Sequence, residues 1–309
     1  MPDSGPMLLF AGPTAVGKSE VALRLAERLG GEIISVDSMQ VYRGLDIGTA
    51  KPSVDERRRV PHHLIDVAEL NEPFDAARFV ALARQAVEKI QARGRLSILC
   101  GGTGLYFKAF LEGLGGSPPA DLALRAELER TPLTELLREL EARDPATFAR
   151  IDRRNPRRVV RALEVIRLTG RPFSEQRAAW PPSPIAHRPS PLFALSRRAD
   201  DLRARIDARV DAMFARGLVR ETQTLMQRGL ERNRTAMQAI GYRQVVEHLR
   251  GVRSLAETTA VVKQRTRQFA KRQMTWFRHQ LPVEWIEVAP GESAEAVAAR
   301  LEPRRATEE

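Results

Sequence analysis

The chain has 309 residues, a formal net charge of +11 and one cysteine, Cys100. One cysteine excludes an internal disulfide, and this length is enough to bury one large core or two modest ones. No apolar run approaches the ~18 residues that span a bilayer, and the N-terminus lacks the pattern of a signal peptide, so we expect a cytoplasmic protein without a membrane segment.

The first predicted elements flank a phosphate-binding turn. The apolar run Met7–Ala11 predicts a strand, and a helical pattern begins directly after Ser19. The connection reads G-x-x-x-x-G-K-S, the P-loop pattern, in which backbone N–H groups and a helix N-terminus cradle phosphates. Lys18 would supply a cation, and Ser19 would hold a Mg²⁺ ion that bridges phosphate oxygens. The predicted loop comprises Gly12, Pro13, Thr14, Ala15, Val16, Gly17, Lys18 and Ser19.

A polar loop follows the second predicted strand, Glu32–Val36. Its first residue, Asp37, allows two interpretations: it orders the shell of a magnesium ion, or it accepts a proton from a nucleophile held beside the phosphates. Ser38 and Gln40 carry hydrogen-bonding groups suited to a base edge, because Gln pairs well with adenine. The spacing alone does not choose between these interpretations.

Strands and helices alternate over the first 110 residues. A third strand is predicted from His62, a helix over residues 74–93, and a strand over residues 96–100 that runs into a glycine-rich turn containing Thr103. This alternation predicts an α/β fold with a P-loop NTPase-like parallel sheet flanked by helices. Because ligands of such sheets bind beyond the carboxyl ends of the strands, we expect the P-loop, Asp37 and Thr103 to converge there.

The pattern becomes purely helical between two loose linkers, residues 113–119 and residues 181–184. We therefore predict a helical insertion domain over residues 118–189 that interrupts a catalytic core formed by residues 1–117 and 190–309. A strand near residues 191–195 and a last strand near residues 283–288 would return the chain to the sheet.

The positive charge is concentrated in the later part of the chain. Residues 1–120 carry 14 basic and 14 acidic side chains, whereas residues 121–309 carry 36 and 25. Arg outnumbers Lys, as coding bias would produce, but bias does not explain the location of the excess. The asymmetry favours a polyanionic partner that docks on the later segments.

One basic stretch, residues 263–278, contains no acidic residue. Lys263, Arg267 and Lys271 recur at four-residue spacing, so they share a helix face that a phosphate backbone would neutralise. The interleaved aromatic residues Phe269, Trp276 and Phe277 could stack on bases, but we expect them to pack into the core. A second basic cluster occupies residues 153–158 of the predicted insert.

Several blocks together resemble the tRNA dimethylallyltransferases, also called tRNA isopentenyltransferases. The blocks are GPTAVGKS at 12–19, VDSMQVY at 36–42, GTAKP at 48–52, PHHLID at 61–66, GGTGLY at 101–106, RALEV at 161–165, GYRQ at 241–244 and KRQMTWF at 271–277. The resemblance spans residues 8–279. The zinc-finger spacing that eukaryotic members tend to carry at the C-terminus is missing, so the chain is similar to the bacterial form.

The resemblance implies a specific reaction. A dimethylallyl group would move from its diphosphate to N6 of the adenosine just 3′ of the anticodon, in tRNAs that read codons beginning with U, and diphosphate would leave. The P-loop then holds a leaving group, with Mg²⁺ at Ser19 and Thr14 as a further contact. Asp37 matches the general base of the family, Thr103 the residue that contacts the target nucleotide, and Arg209 an arginine that reaches the pyrophosphate.

The resemblance also implies which surface binds the anticodon stem-loop of the tRNA, whose target base is flipped out. We expect the protein to be a monomer. The implied tRNA contacts are Asp37, Ser38, Met39, Gln40, Thr103, Arg125, Arg157, Arg158, Val159, Val160, Arg161, Gln238, Ala239, Ile240, Gly241, Tyr242, Arg243, Lys271, Arg272, Gln273, Met274, Thr275, Trp276, Phe277 and Arg278. Two alternatives stay open: a P-loop kinase of a nucleotide or small metabolite, and an RNA-binding regulator that binds ATP.

Overall fold

The fold is described from a computed structural model, which covers residues 7–113, 118–177 and 192–302. The chain divides into two compact units, one formed by Met1–Ala109 and Arg188–Glu309, the other by Phe110–His187. The second unit begins earlier than the predicted residue 118 and ends close to the predicted residue 189. Residues 114–117 of the first predicted linker, all of the second, and Pro191 lie outside the described residues.

The first unit contains one parallel sheet. Its strands are β1 Met7–Ala11, β2 Glu32–Val36, β3 His62–His63, β4 Ser97–Gly101, β5 Leu192–Ser196 and β6 Glu284–Glu287. They lie in the order β3-β2-β4-β1-β5-β6, and every neighbouring pair is parallel. The predicted parallel sheet is therefore confirmed. The strand predicted from His62 is short, because Leu64 and Asp66 adopt left-handed conformations that leave the extended region.

Four helices accompany the first four strands. They are α1 Lys18–Leu29, α2 Val54–Arg59, α3 Ala76–Gln91 and α4 Gly104–Glu112. The helix predicted over residues 74–93 begins at Ala76 because Asp75 caps it, its carboxylate accepting the N–H of Arg78 at 2.9 Å. Phe79, Ala83 and Ile90 of α3 are buried at helical spacing, so one face of this helix packs into the core.

The second unit is a bundle of helices with a core of its own. The helices are α5 Leu122–Arg130, α6 Leu133–Arg143, α7 Pro145–Arg150, α8 Pro156–Thr169 and α9 Phe173–Arg177. Leucines of α5 and α6, Leu128, Leu136 and Leu140, pack against the apolar face of α8, including Leu163 and Ile166. No strand occurs in residues 118–177, so the regular secondary structure of this part of the chain is helical.

The remaining helices complete the first unit. They are α10 Ala199–Ala215, α11 Leu218–Gln227, α12 Tyr242–Leu249, α13 Leu255–Gln280 and α14 Ala294–Leu301. Val21 and Leu25 of α1 and Val297 of α14 share one cluster with Phe10 and Ile98 of the sheet, so both helices cover the same sheet face. Within the described ranges, no helix combines the length and apolar character needed to cross a membrane.

Candidate active site

The P-loop connects β1 to α1 at the carboxyl edge of the sheet, and its backbone requires small residues. Gly12 and Gly17 have φ values of 147° and 106°, and Ala15 adopts a left-handed φ of 64°. A Cβ atom on Gly12 would lie 3.1 Å from the carbonyl oxygen of Leu195. Gly17 caps α1 without a side chain, so the first N–H groups of this helix are left to bind an anion.

Two arginines from outside the loop hold its backbone. The Nε atom of Arg197 donates to the carbonyl of Val16 at 2.8 Å, and that of Arg205 donates to the carbonyl of Ala15 at 3.0 Å. These bonds fix the orientation of the two peptide units that carry these carbonyls. Sequence analysis missed both arginines, because each lies more than 180 residues from its partner.

A cavity of about 540 Å³ opens beside the loop. Its lining comprises Ala15, Gly17, Lys18, Ser19, Glu20, Glu56, Arg205, Ala208 and Arg209. Burial lowers the pKa of the Lys18 ammonium group, and the positive charge of Arg209 lowers it further. Burial likewise lowers the pKa of Arg209, with a further contribution from Arg205. Mutual repulsion of these cations in a partly buried cavity favours the binding of an anion beside them.

Asp37 lies directly after β2 and uses its two carboxylate oxygens differently. Oδ1 accepts the N–H groups of Met39 at 2.8 Å and Gln40 at 3.3 Å, which fixes the carboxyl group. Oδ2 has no hydrogen-bond partner among the described residues. Burial lowers the pKa values of Lys18 and Arg209, and the negative charge of Asp37 opposes this lowering in both, so the carboxylate is close enough to affect both cations.

Thr103 joins the loop after β4 to the loop after β2. Its Oγ1 atom accepts the N–H of Ser38 at 3.1 Å, and its own N–H donates to the carbonyl of Val36 at 3.2 Å. The two chains approach closely, since a Cβ atom on Gly101 would lie 2.0 Å from the Val36 carbonyl oxygen. The structure therefore places Thr103 beside Asp37 at the edge that also carries the P-loop.

Gln273 of α13 connects the P-loop to the loop after β4. Its Oε1 atom accepts the N–H of Thr14 at 2.9 Å, and its Nε2 atom donates to the carbonyl of Gly102 at 2.8 Å. The residue is 7% exposed. The amide therefore makes internal hydrogen bonds, and the prediction that Gln273 contacts tRNA is not supported by its position.

Gln40 is also engaged internally. The hydroxyl of Ser35 donates to its Oε1 atom at 2.9 Å, and its Nε2 atom donates to the carbonyl of Thr49 at 3.2 Å. Both ends of the amide are occupied, so the interpretation of Gln40 as a reader of a base edge is not supported. In this structure it holds the loop of residues 48–52 against the sheet.

Tyr242 has a similar internal role. It is fully buried, its hydroxyl donates to Glu221 at 2.7 Å, and it accepts the N–H of Gly48 at 3.1 Å. Glu221, which sequence analysis missed, also accepts the N–H of Ile47 at 2.9 Å. Of the other predicted contacts in this segment, Gln238 and Arg243 are exposed, Ile240 is half-buried, and Ala239 and Gly241 are buried.

The basic face of α13 is partly neutralised within the chain. Lys263 pairs with Asp211 at 2.7 Å and Arg267 with Asp207 at 3.1 Å, so the predicted row of three phosphate contacts reduces to Lys271. The acidic partners, Asp207 and Asp211, lie on α10 at the same four-residue spacing. The sequence of residues 263–278 alone does not contain them, so it could not predict these ion pairs. Lys271, Arg272 and Arg278 are exposed.

A groove of about 590 Å³ lies on the same stretch of α13. It is lined by Gln268, Lys271, Arg272, Thr275, Trp276, His279 and Gln280.

Phe277 is buried as expected, and Met274 and Trp276 are half-buried. Phe269 is 37% exposed, so its predicted place in the core is wrong. The guanidinium of Arg272 lies 5.7 Å from the centre of the Phe269 ring, which is a cation–π contact.

In the helical unit, several predicted tRNA contacts serve the bundle itself. Glu164 is fully buried and pairs with Arg125 at 2.5 Å and with Arg161 at 2.7 Å. Val159 and Val160 belong to the apolar core, so their side chains are inaccessible to RNA. Arg157 and Arg158 are exposed.

The side chains near the cavity could supply only some of the ligands that a hard divalent cation needs. No group of three or more His, Cys, Asp or Glu side chains that could hold a metal occurs in the described part of the chain. The hydroxyl of Ser19 and the carboxylate of Asp37 are oxygen donors of the type that Mg²⁺ prefers. This ion keeps several water ligands and commonly binds through substrate phosphates, so such a small donor set is sufficient.

A parallel sheet with a P-loop at its carboxyl edge, beside a cavity lined by Lys18, Arg205 and Arg209, defines an α/β protein of the P-loop type. A family model described as IPP transferase matches residues 40–280. The chain belongs to this family, whose curated members include many tRNA dimethylallyltransferases.

Individual relatives match over nearly the whole chain. The tRNA dimethylallyltransferase of Pelotomaculum thermopropionicum is 42% identical over 300 residues, covering 96% of this chain and 95% of the relative. The crystal structure of the tRNA isopentenylpyrophosphate transferase from Bacillus halodurans has a TM-score of 0.70 and 38% identity, covering 98% and 97%. A eukaryotic dimethylallyltransferase, crystallised as it acts on tRNA, has a TM-score of 0.81 and 26% identity, covering 99% of this chain and 81% of the other.

Proposed function

We propose that this protein transfers a dimethylallyl group from dimethylallyl diphosphate to N6 of the adenosine just 3′ of the anticodon in tRNA, with release of diphosphate. The observation that carries the proposal is the position of Asp37, whose Oδ2 atom is unbonded among the described residues and whose charge affects Lys18 and Arg209. Membership of the IPP transferase family favours this reaction over the kinase alternative.

The main barrier to this reaction is the weak nucleophile. The exocyclic amine of adenine shares its lone pair with the ring, so the leaving group must depart easily. Negative charge develops on diphosphate as its C–O bond breaks. In this proposal the N–H groups at the start of α1, with Lys18 and Arg209, would stabilise that charge.

The second requirement is removal of a proton. As the N6–C bond forms, the amine becomes positively charged, and one of its protons must go to a base. We assign that role to Oδ2 of Asp37, since Oδ1 is held by Met39 and Gln40. The products are then the neutral N6-dimethylallyl adenosine, a protonated Asp37 and diphosphate, so atoms and charge balance.

A prenyltransferase that acts on a diphosphate typically needs a divalent metal, and we propose Mg²⁺, held by the Ser19 hydroxyl and by diphosphate oxygens. Bound there, Mg²⁺ would neutralise part of the diphosphate charge. Thr14 is proposed as a further contact to the diphosphate. Its hydroxyl would make this contact, because its N–H is bonded to Gln273.

The target base must leave the anticodon stack to reach Asp37, which costs a few kcal/mol. We propose that Thr103 contacts the extruded nucleotide, and that Lys271, Arg272 and Arg278 bind phosphates of the anticodon stem-loop. In the helical unit, Arg157 and Arg158 are proposed as further phosphate contacts. All five cations are exposed.

The test is a transfer assay. The protein is incubated with dimethylallyl diphosphate labelled in the prenyl group, Mg²⁺ and unmodified tRNA, and label in precipitated RNA is counted. We expect label to enter tRNA, and to be lost when the adenosine next to the anticodon is replaced by guanosine. Comparison of tRNAs that read codons beginning with U against others tests the predicted substrate range. If label stays unincorporated while the γ-phosphate of ATP is transferred, the kinase alternative replaces this proposal.

A further inference from the structure

The side-chain amide of Gln273 bridges two loops that are far apart in the chain. Its two hydrogen bonds join Thr14, which is 259 residues away in sequence, to Gly102, which is 171 residues away. The bridge fits without slack, because a Cβ atom on Gly102 would lie 2.4 Å from the Nε2 atom of Gln273. Only a residue with both a donor and an acceptor at this depth can make both bonds.

The bridge continues to the proposed base. Gly102 is followed by Thr103, which accepts the N–H of Ser38, and Ser38 follows Asp37 directly. Thr103 also donates its N–H to the carbonyl of Val36, the residue before Asp37. A short path of hydrogen bonds therefore runs from the loop that would hold the leaving group to the carboxylate that would accept the proton.

α13 itself is anchored on the side of the P-loop. The ion pairs of Lys263 and Arg267 fix it to α10, and Arg205 of α10 holds the carbonyl of Ala15. Ala270 of α13 and Ile206 of α10 also pack with Ala15, so Gln273 projects from a helix that contacts the P-loop directly and through α10. Because α13 is held in this way, the amide of Gln273 sets the distance between Thr14 of the P-loop and Gly102.

We propose that Gln273 is a positioning residue, which sets the distance between the diphosphate held by the P-loop and the adenine amine presented to Asp37. The inference rests on the proposed function and extends it to a residue that touches neither substrate. Correct spacing matters in the transition state, where the amine, the transferred carbon and the leaving oxygen must be in line. Without the bridge, we expect the P-loop still to bind diphosphate and the loop of Asp37 still to bind the adenine.

The test uses single-turnover rates at saturating dimethylallyl diphosphate and tRNA. Gln273→Met keeps the length of the side chain and removes both hydrogen bonds. We expect the rate to fall about 100-fold, the loss typical of a misplacement of about 1 Å, with unchanged affinity for each substrate. Gln264→Met is the matched control, since Gln264 is exposed on the same helix, and it should react at the wild-type rate.

Gln273→Glu adds a readout that a purely structural role would not give. Its ionised carboxylate can accept from Thr14 but cannot donate to the Gly102 carbonyl, whereas its protonated form can do both. Relative to wild type, this variant should therefore recover activity as the pH falls. It also keeps the proposal testable if the Met variant melts at a lower temperature.

Two results would overturn the proposal. The first is a Met variant that transfers at the wild-type rate, and the second is a loss confined to substrate affinity. If the wild-type protein itself transfers no label, the proposed function fails. That outcome is separate from a result in which only Gln273 proves unimportant.

Discussion

Asp37 shows how a single side chain can combine a structural and a chemical role. Oδ1 organises the turn at Met39 and Gln40, and Oδ2 is proposed to accept the proton. Asp37→Asn keeps the Oδ1 acceptor and removes the base. We expect transfer to slow by about 10²–10⁴-fold, with tRNA affinity unchanged, as measured by single-turnover rates and filter binding.

Two comparisons sharpen this prediction. Asp37→Ala also removes the turn, so it should additionally weaken tRNA binding. Asp55→Asn, which alters an exposed acid on α2, should behave as wild type. A rapid Asn variant would show that the proton leaves by another route, through solvent for example.

At the level of residues, the sequence predicts the parts of the site that are local. The P-loop is a contiguous pattern, and Asp37 and Thr103 follow predicted strands, so their approach follows from the parallel sheet. No local signal predicts the internal hydrogen bonds of Arg197, Arg205, Glu221 and Gln273, because each of these side chains bonds a backbone group far away in the chain. Their partners become visible only once the helices are packed.

At the level of elements, β2 begins with a carboxylate that ties it to its neighbours. Glu32 accepts from His63 at 2.6 Å and from Arg93 at 2.8 Å, and its side chain is 3% exposed. Burial alone would raise the pKa of this carboxyl, but the hydrogen bonds from His63 and Arg93 outweigh it and leave the pKa below its ordinary value. Glu32 therefore stabilises the fold when it is ionised.

The sign of the pH dependence follows from this lowered pKa. The stabilisation is fully present above the unfolded-state pKa of Glu32, near 4.5, and it is lost as the pH falls through the lower folded-state value. Glu32→Gln should cost about 1–3 kcal/mol at neutral pH and less in acid. Urea unfolding of both proteins at a series of pH values measures the difference, and a constant difference down to acid pH would contradict it.

α13 offers a second test, on its exposed cations. Lys271 is unpaired among the described residues, whereas Lys263 pairs with Asp211. Lys271→Ala should weaken tRNA binding and reduce the slope of log K against log salt by about 0.7–0.9, the value of one phosphate contact. Lys263→Ala should leave the slope unchanged. Equal slopes for Lys271→Ala and wild type would remove this part of α13 from the RNA interface.

At the level of the whole molecule, ligand binding to the P-loop should stabilise the folded state. Diphosphate at 100 times its dissociation constant should add about 2.7 kcal/mol, which calorimetry detects as a higher melting temperature. Lys18→Met should remove most of this shift, since it deletes a cation of the cavity. Lys89→Met, on an exposed position of α3, is the control. A shift that survives in the Lys18 variant would locate the anion elsewhere.

The order of strands and helices in the first unit was predictable, because buried strands and amphipathic helices have distinct periods. The limits of the insert were less predictable, because a change in the spacing of apolar residues does not mark the residue at which the chain leaves one packed unit for the other. The proposed contact of the insert with tRNA stays a prediction, as do the monomeric state and the cytoplasmic location. Light scattering tests the monomeric state directly.

The hydrogen bonds from Arg197 and Arg205 to the P-loop have one more consequence. They do not depend on a ligand, so the loop should follow the same backbone path in crystals grown without diphosphate. The amide hydrogens at the start of α1, which have no side-chain cap, should exchange with deuterium in ligand-free protein and become protected when diphosphate binds. A rigid receptor of this kind loses little entropy on capture, and dimethylallyl diphosphate should therefore associate in a single kinetic phase, without a slow rearrangement step.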